Sequence, residues 1–374
     1  MLFAGGGTGG HLYPGLAVAR ALLRARPDTE LFFVGAQRGI ERTVLPTSGF
    51  QFELLDLHPL YRPAVWNNWR TLVGGIKAWR GMSRVSRKFR PDVVVGTGGY
   101  AAGLALAYAV VHHIPMVQQA GDSHPGLTAR WLSRWSREMY LAFPEAAAKL
   151  HAFAPGSLVD TGAPIEPPPS PRPDRREARA AWGFPREGGS VLLVYGGSQG
   201  SLAINRAVAD WIAGGLPESL YLIWSTGRGT FEQFKHLDGG AGGRVRVREY
   251  LSPVADAYAA TDLAVARAGA MTTSELFAWG IPAVLIPLPT AAADHQTINA
   301  RTLQSAGAAV LLPQPELSAQ RLAEVVGGLL SSPAAMSALA AGAAARARPD
   351  AASEIARRIL ALIHATSAAG PSRS

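Results

Sequence analysis

Short apolar runs rich in β-branched residues alternate along this chain with longer segments of helical period. The runs at Leu2–Ala4, Leu31–Gly35, Val93–Gly96 and Pro115–Gln118 predict strands. Between them, Pro14–Arg26, Trp69–Phe89 and Ala101–His113 predict helices. A strand buried on both faces reads as an unbroken apolar run, and a helical crossover returns the chain to start a parallel neighbour. This half therefore predicts a parallel sheet covered on both sides. The alternation pauses over 163–189, where prolines at 164, 167, 168, 169, 171, 173 and 185 stand among charges around a short helical stretch, Arg175–Ala181. That is a linker composition. It then restarts: Val191–Tyr195, Tyr221–Trp224, Arg244–Glu249, Leu263–Val265 and Ala283–Ile286 predict strands, and Leu202–Ala213, Met271–Trp279 and His295–Ala306 predict helices. From Ser318 the chain is helical in period and ends in a Ser/Gly/Pro-rich fringe expected to fray. The fold class is α/β, with two Rossmann-like domains: 1–162, a linker over 163–189, 190–345, and a C-terminal helix and tail over 346–374.

Composition agrees with two cores. The chain has 374 residues, 48% hydrophobic and only 17% charged, and its 41 Gly and 27 Pro follow no triplet period, so they punctuate turns. A formal charge of +9 favours anionic partners: nucleotides, nucleic acids or acidic lipid surfaces. With no cysteine, acid–base chemistry falls to histidine and carboxylates. The start, MLFAGGGTGG, has neither a basic region nor a long apolar core, and no run reaches about 18 apolar residues, so neither an export signal nor a membrane-spanning helix is expected. Only Met1–Ala4 precede the first glycine turn, short for a central strand of about five or six residues, which points to a start upstream.

Charge is unevenly placed. Between Asp56 and Asp92 there is no acidic residue, while Arg62, Arg70, Lys77, Arg80, Arg84, Arg87, Lys88 and Arg90 interleave with Trp66, Trp69, Ile76, Trp79 and Phe89. Cations among aromatic anchors suit an anionic membrane surface. An amphipathic helix with its apolar side against a core gives a similar pattern. Nucleic acid competes as a partner, but no nucleic-acid-binding motif accompanies the basic stretch.

Three strand–glycine–helix junctions carry the candidate chemistry. The first is Gly5-Gly6-Gly7-Thr8-Gly9-Gly10-His11, the second Gly96-Thr97-Gly98-Gly99-Tyr100, the third Gly196-Gly197-Ser198-Gln199-Gly200-Ser201. Glycines let backbone N–H groups approach an anion, and the helix that follows adds partial positive charge. Gly5, Gly7 and Gly10 also satisfy G-x-G-x-x-G, but the next strand ends in Ala36-Gln37-Arg38-Gly39 without the carboxylate that an adenosine ribose requires. NAD and FAD are thereby disfavoured, and the absence of G-x-x-x-x-G-K-[ST] disfavours P-loop chemistry. Two junctions in one half and one in the other fit phosphates held between two domains.

The segments 5–19 (GGGTGGHLYPGLAVA), 91–103, 195–205, 266–287 (ARAGAMTTSELFAWGIPAVLIP) and 294–300 resemble the MurG family, which adds GlcNAc to undecaprenyl-linked MurNAc-pentapeptide in peptidoglycan synthesis, a step tied to cell shape and division. The likeness runs in order over nearly the whole chain. It implies the GT-B architecture, two Rossmann-like domains with parallel sheets facing across a cleft and a C-terminal helix crossing back to the first. It implies an inverting, metal-independent transfer without cofactor, from UDP-GlcNAc to lipid I, at the cytoplasmic face of the inner membrane as a peripheral protein. Residue by residue, Ser198, Gln199 and Gly200 would meet the UDP diphosphate, and Asn205 and Arg267 would also bind substrate. Glu275 would accept the ribose hydroxyls, Leu251 and Gly269, Ala270, Met271, Thr272 and Thr273 would frame uracil, and His295 and Gln296 would reach the sugar. Thr8, Gly9, Gly10, Gly98, Gly99 and Tyr100 would face the acceptor's diphosphate.

Two positions depart from the family pattern. Where His-Glu-Gln-Asn is common, this chain reads Gln118-Gln119-Ala120-Gly121-Asp122, which puts Asp122 at the sugar-contacting asparagine. Where Asn-Pro-Val-Arg is common, it reads Ala163-Pro164-Ile165-Glu166, so the arginine near the donor phosphates is missing and Arg267 and the third-turn helix gain weight. The acceptor 4-hydroxyl needs a base, for which His11 is the candidate and Asp122 the alternative; His11 as a turn cap or phosphate ligand stays open. So do a GT-B transferase with another lipid acceptor and a nucleotide-sugar-binding membrane scaffold without turnover.

Overall fold

The computed structural model describes residues 1–57, 69–197 and 199–368. Ser198, Arg62 and Trp66, and the side chains of Trp69 and Arg70, lie outside what it describes. The chain divides into two compact units: Met1–Glu166 together with the segment from Asp350 onward, and Pro167–Pro349.

The first unit contains β1 (Leu2–Gly5), β2 (Phe32–Ala36), β3 (Gln51–Leu55), β4 (Val94–Gly98), β5 (Met116–Ala120), β6 (Glu138–Leu141) and β7 (Leu158–Asp160). They form one sheet in the order β3-β2-β1-β4-β5-β6-β7, every pair parallel. Alternation along each strand sends side chains to two cores. Phe3, Phe33, Val95 and Val117 pack with Leu12, Leu16 and Leu22 of the Gly9–Ala25 helix. Leu2, Ala4, Val34 and Val94 pack on the other face with Met82, Ala102 and Leu106. The helix Ala351–Ala368 closes the first of these cores, burying Ala352, Ile355, Ala356 and Ile359.

The second unit contains β8 (Ser190–Tyr195), β9 (Leu220–Ser225), β10 (Val245–Arg248), β11 (Leu263–Ala266), β12 (Ala283–Leu285) and β13 (Ala309–Leu311), ordered β10-β9-β8-β11-β12-β13 and again all parallel. The proline-rich stretch from Pro167 belongs to this unit. Asp174 caps the Arg175–Ala181 helix by accepting from Arg176 N and Glu177 N, and the buried Arg179 guanidinium donates to the carbonyls of Pro185 and Gly189. Arg172 donates to the Ala278 and Trp279 carbonyls that end the Ala270–Ala278 helix.

Candidate active site

In an open parallel sheet, ligands sit beyond the carboxyl ends of the strands where strand order reverses. In the first unit that point lies between β1 and β4, which lead into the first and second glycine turns. The two turns are packed on each other. Gly6 N donates to the Gly98 carbonyl (3.3 Å), and the Thr97 hydroxyl donates to the His11 carbonyl (2.7 Å). Gly98 and Gly99 have φ of 103° and 77°. A Cβ on Gly98 would lie 2.7 Å from His11 Cδ2, and one on Gly99 2.0 Å from the Gly6 oxygen, so both glycines are also required by close approach.

The first helix starts at Gly9, five residues before Pro14, because Gly9 and Gly10 adopt helical geometry; His11 therefore lies in its first turn. Thr8 is extended and makes no side-chain capping bond; its carbonyl accepts from His11 N and Leu12 N, which leaves the amides of Gly9 and Gly10, ahead of the first intrahelical bonds, to meet an anion. The Thr8 hydroxyl turns instead to His11 Nδ1 (3.1 Å), which also lies 3.2 Å from the Gly6 carbonyl oxygen. Tyr100 lies against Gly7, its Cε1 2.9 Å from where a Cβ would sit. Asp122 is half-buried just past β5, the neighbour of β4, on the same carboxyl edge. Glu166, at the missing arginine's position, is ion-paired with Arg20 (3.1 Å) and Arg24 (3.7 Å).

In the second unit the reversal falls between β8 and β11. The third turn leaves β8, and Arg267 to Glu275 follow β11. Gly200 (φ 81°) packs so closely on the turn after β9 that its Cβ would lie 1.9 Å from the Thr226 oxygen. Asn205 backs this arrangement. It is 0% exposed, donating to the Thr226 carbonyl and the Thr230 hydroxyl and accepting from Trp224 Nε1 (2.8, 2.8 and 2.9 Å). Its amide is spent on the protein, so it supports the turn rather than touching a ligand.

Arg267 is likewise a brace. One terminal nitrogen donates to the Ile286 and Pro287 carbonyls, the other to Ser201 Oγ (2.6 Å) and Gln314 Oε1 (2.7 Å). Burial lowers its guanidinium to about 10, still charged at neutral pH. It acts on the third turn through Ser201, whose hydroxyl oxygen also accepts from Ile204 N at the helix start. Thr273 is 1% exposed, its hydroxyl bonded to the Gly269 and Ala270 carbonyls, so only its backbone is at the site's edge.

Glu275 is different. Its Oε2 accepts from the Tyr258 hydroxyl (2.9 Å), which is 3.3 Å from the Tyr195 hydroxyl. Burial pushes the Glu275 carboxyl up to about 7, partly offset by the Tyr258 bond. Burial also pushes both phenols well above their usual range, which keeps them as protonated donors. Gln296 Oε1 accepts from Leu288 N (3.0 Å), orienting its amide at the start of the His295–Ser305 helix beside half-buried His295. Leu251 lies half-buried beyond β10, and Gly269 through Thr272 lead into the Ala270–Ala278 helix.

Sequence reasoning passed over Tyr195, Tyr258 and the buried Glu41, which accepts from Gly7 N at 3.0 Å. Nothing in periodicity marks the tyrosines; three glycines, 6, 35 and 39, make the room for Glu41.

Residues 1–141 match the glycosyltransferase family 28 N-terminal domain and 191–355 the family 28 C-terminal domain. The UDP-N-acetylglucosamine–N-acetylmuramyl-(pentapeptide) pyrophosphoryl-undecaprenol N-acetylglucosamine transferase of Salinibacter ruber is 41% identical, over 97% of this chain and 96% of the relative. That of Moorella thermoacetica is 39% identical, over 96% and 98%. The crystal structure of Acinetobacter baumannii MurG superposes with a TM-score of 0.74 at 26% identity, covering 96% of this chain and 98% of that one. The two parallel sheets are those of the GT-B fold, and the chain belongs to the MurG family of glycosyltransferases.

Proposed function

We propose that this chain transfers GlcNAc from UDP-GlcNAc to the 4-hydroxyl of undecaprenyl-diphospho-MurNAc-pentapeptide, with inversion, on the cytoplasmic side of the membrane. The observation that carries this reading is the full-length identity to transferases of that name, with glycine turns at both sheet reversals. The second unit takes the donor. Amides of Ser198, Gln199 and Gly200 and the helix behind them meet the diphosphate, Glu275 accepts from the ribose diol through the oxygen Tyr258 does not occupy, and Leu251 with Gly269, Ala270, Met271 and Thr272 frames uracil. His295 and Gln296 reach the sugar. The first unit takes the acceptor, its diphosphate on the amides of Thr8, Gly9, Gly10, Gly98, Gly99 and Tyr100.

His11 Nε2 removes the proton from the acceptor 4-hydroxyl as that oxygen bonds the anomeric carbon and the bond to UDP breaks. UDP leaves with its added charge on the third-turn amides. Asp122 faces the sugar. The Trp69–Phe89 helix contacts anionic lipid through Arg80, Arg84, Arg87 and Lys88, which line one shallow concavity.

UDP release from UDP-GlcNAc with a short-chain lipid I analogue tests the reading. Acceptor-dependent turnover is expected. Turnover only with another lipid acceptor, or donor binding with no turnover, would sink it, and Glu166 and Asp122 are where such a divergence would originate.

A further inference from the structure

Glu41 holds no part in the scheme above, yet the first glycine turn is built around it. The residue is 0% exposed; Oε1 accepts from Gly7 N (3.0 Å) and Ala36 N (3.1 Å), and Oε2 is buried with no hydrogen-bond partner among the described residues. A Cβ on Gly6 would lie 1.7 Å from Oε1, one on Gly39 1.9 Å from Oε2, and one on Gly35 2.8 Å from Cγ. Burying a carboxyl with one oxygen unmatched costs stability. A fold that opens three glycines to accommodate it obtains something in return.

The return lies across one peptide bond. Gly7 N–H and Gly6 C=O are the two ends of a single amide. The N–H is held by Glu41 Oε1, and the carbonyl oxygen is 3.2 Å from His11 Nδ1. A carbonyl oxygen can only accept, so Nδ1 carries the hydrogen and the Thr8 hydroxyl oxygen, at 3.1 Å, is a second acceptor for it. Nε2 of the neutral ring then carries no hydrogen. A carboxylate on the amide N–H shifts electron density toward the amide oxygen, and serial hydrogen bonds strengthen one another. Gly99, with no room for a Cβ beside the Gly6 oxygen, fixes the amide from the other side.

We infer that Glu41 is a positioning residue for His11, acting through the Gly6–Gly7 peptide to fix the Nδ1–H tautomer and to stabilise the imidazolium. It does through an intervening amide what the aspartate of a Ser-His-Asp triad does by direct contact. The inference rests on His11 as the base.

The test uses the full chain with ring-¹⁵N histidine. The wild-type His11 ring shows protonated Nδ1 and unprotonated Nε2, and in Glu41→Gln, which keeps an acceptor oxygen but loses the charge, both ring shifts move. In the same variant kcat falls roughly tenfold while KM for UDP-GlcNAc stays within about twofold, and adding it to His11→Ala costs nothing further. A wild-type ring protonated at Nε2 overturns the inference whether or not the variant folds, as does unchanged kcat in a folded Glu41→Gln. Turnover surviving in His11→Ala would instead remove His11 as base; ring shifts that still respond to Glu41 would then leave the positioning link standing.

Discussion

Glu275 stands at an energetic disadvantage when the nucleotide is absent. Its carboxyl titrates near 7 in the folded chain, against 4.5 for an ordinary glutamate. The folded state therefore binds this proton more tightly, and ionising the group costs stability as pH rises from about 4.5 to 7. Glu275→Gln is expected to melt higher than wild type at pH 8, by roughly 1–3 kcal/mol, and to match it below pH 4.5. The same substitution removes the ionised acceptor for the ribose diol, so calorimetric titration with UDP should show affinity reduced about tenfold or more. Wild-type affinity for UDP should rise between pH 6 and pH 8; the reverse order would exclude Glu275 from the ribose. His11→Ala should lower kcat by a factor on the order of 10²–10⁴ and leave UDP binding intact, which single-turnover and titration measurements separate. Motifs locate residues near a site but not the direction of a side chain. That is why Asn205, Arg267 and Thr273 read as ligands in sequence and turn inward in the structure, while Tyr258 and Glu41, set by contacts distant in sequence, left no trace there.

Among elements, the third turn depends on what lies behind it. Asn205→Ala would leave Trp224 Nε1 buried without its acceptor and the Thr226 carbonyl with the Thr230 hydroxyl as its remaining side-chain donor. The expected cost is about 2–4 kcal/mol in denaturant melts, with weaker UDP binding because Gly200 rests on the Thr226 carbonyl. The central strands are readable because a strand covered on both faces is continuously apolar, and the expected Arg244–Glu249 is the edge strand Val245–Arg248, whose residues alternate between buried and half-buried. The sequence does not predict β3, β7 and β13, which are edge strands: β7 and β13 have only three residues, and Gln51 and Glu53 interrupt the apolar pattern of β3 as Asp160 does that of β7. β6 is also short, with four residues. The first helix begins at Gly9 and not at the expected Pro14, because Gly9 and Gly10 have the composition of a turn yet form its first turn.

At the level of the whole molecule, the first unit is discontinuous. Ile355 and Ile359, 1% and 0% exposed, contribute to the same core as Phe3 and Leu16. Ile355→Ala is expected to destabilise the first unit by about 2–4 kcal/mol and to leave the transition of the second unit unmoved in calorimetry. Arg358 reinforces the attachment through Glu138 on β6 (3.1 Å). Chains are made from the amino end, and domains generally fold as units. Here the unit begun first lacks one wall of its core until residue 359 has left the ribosome, whereas Pro167–Pro349 has all its parts earlier. Synthesis and completion thus run in opposite orders, and the glycine turns around His11 are supported by a full core only once the Ala351–Ala368 helix has been made.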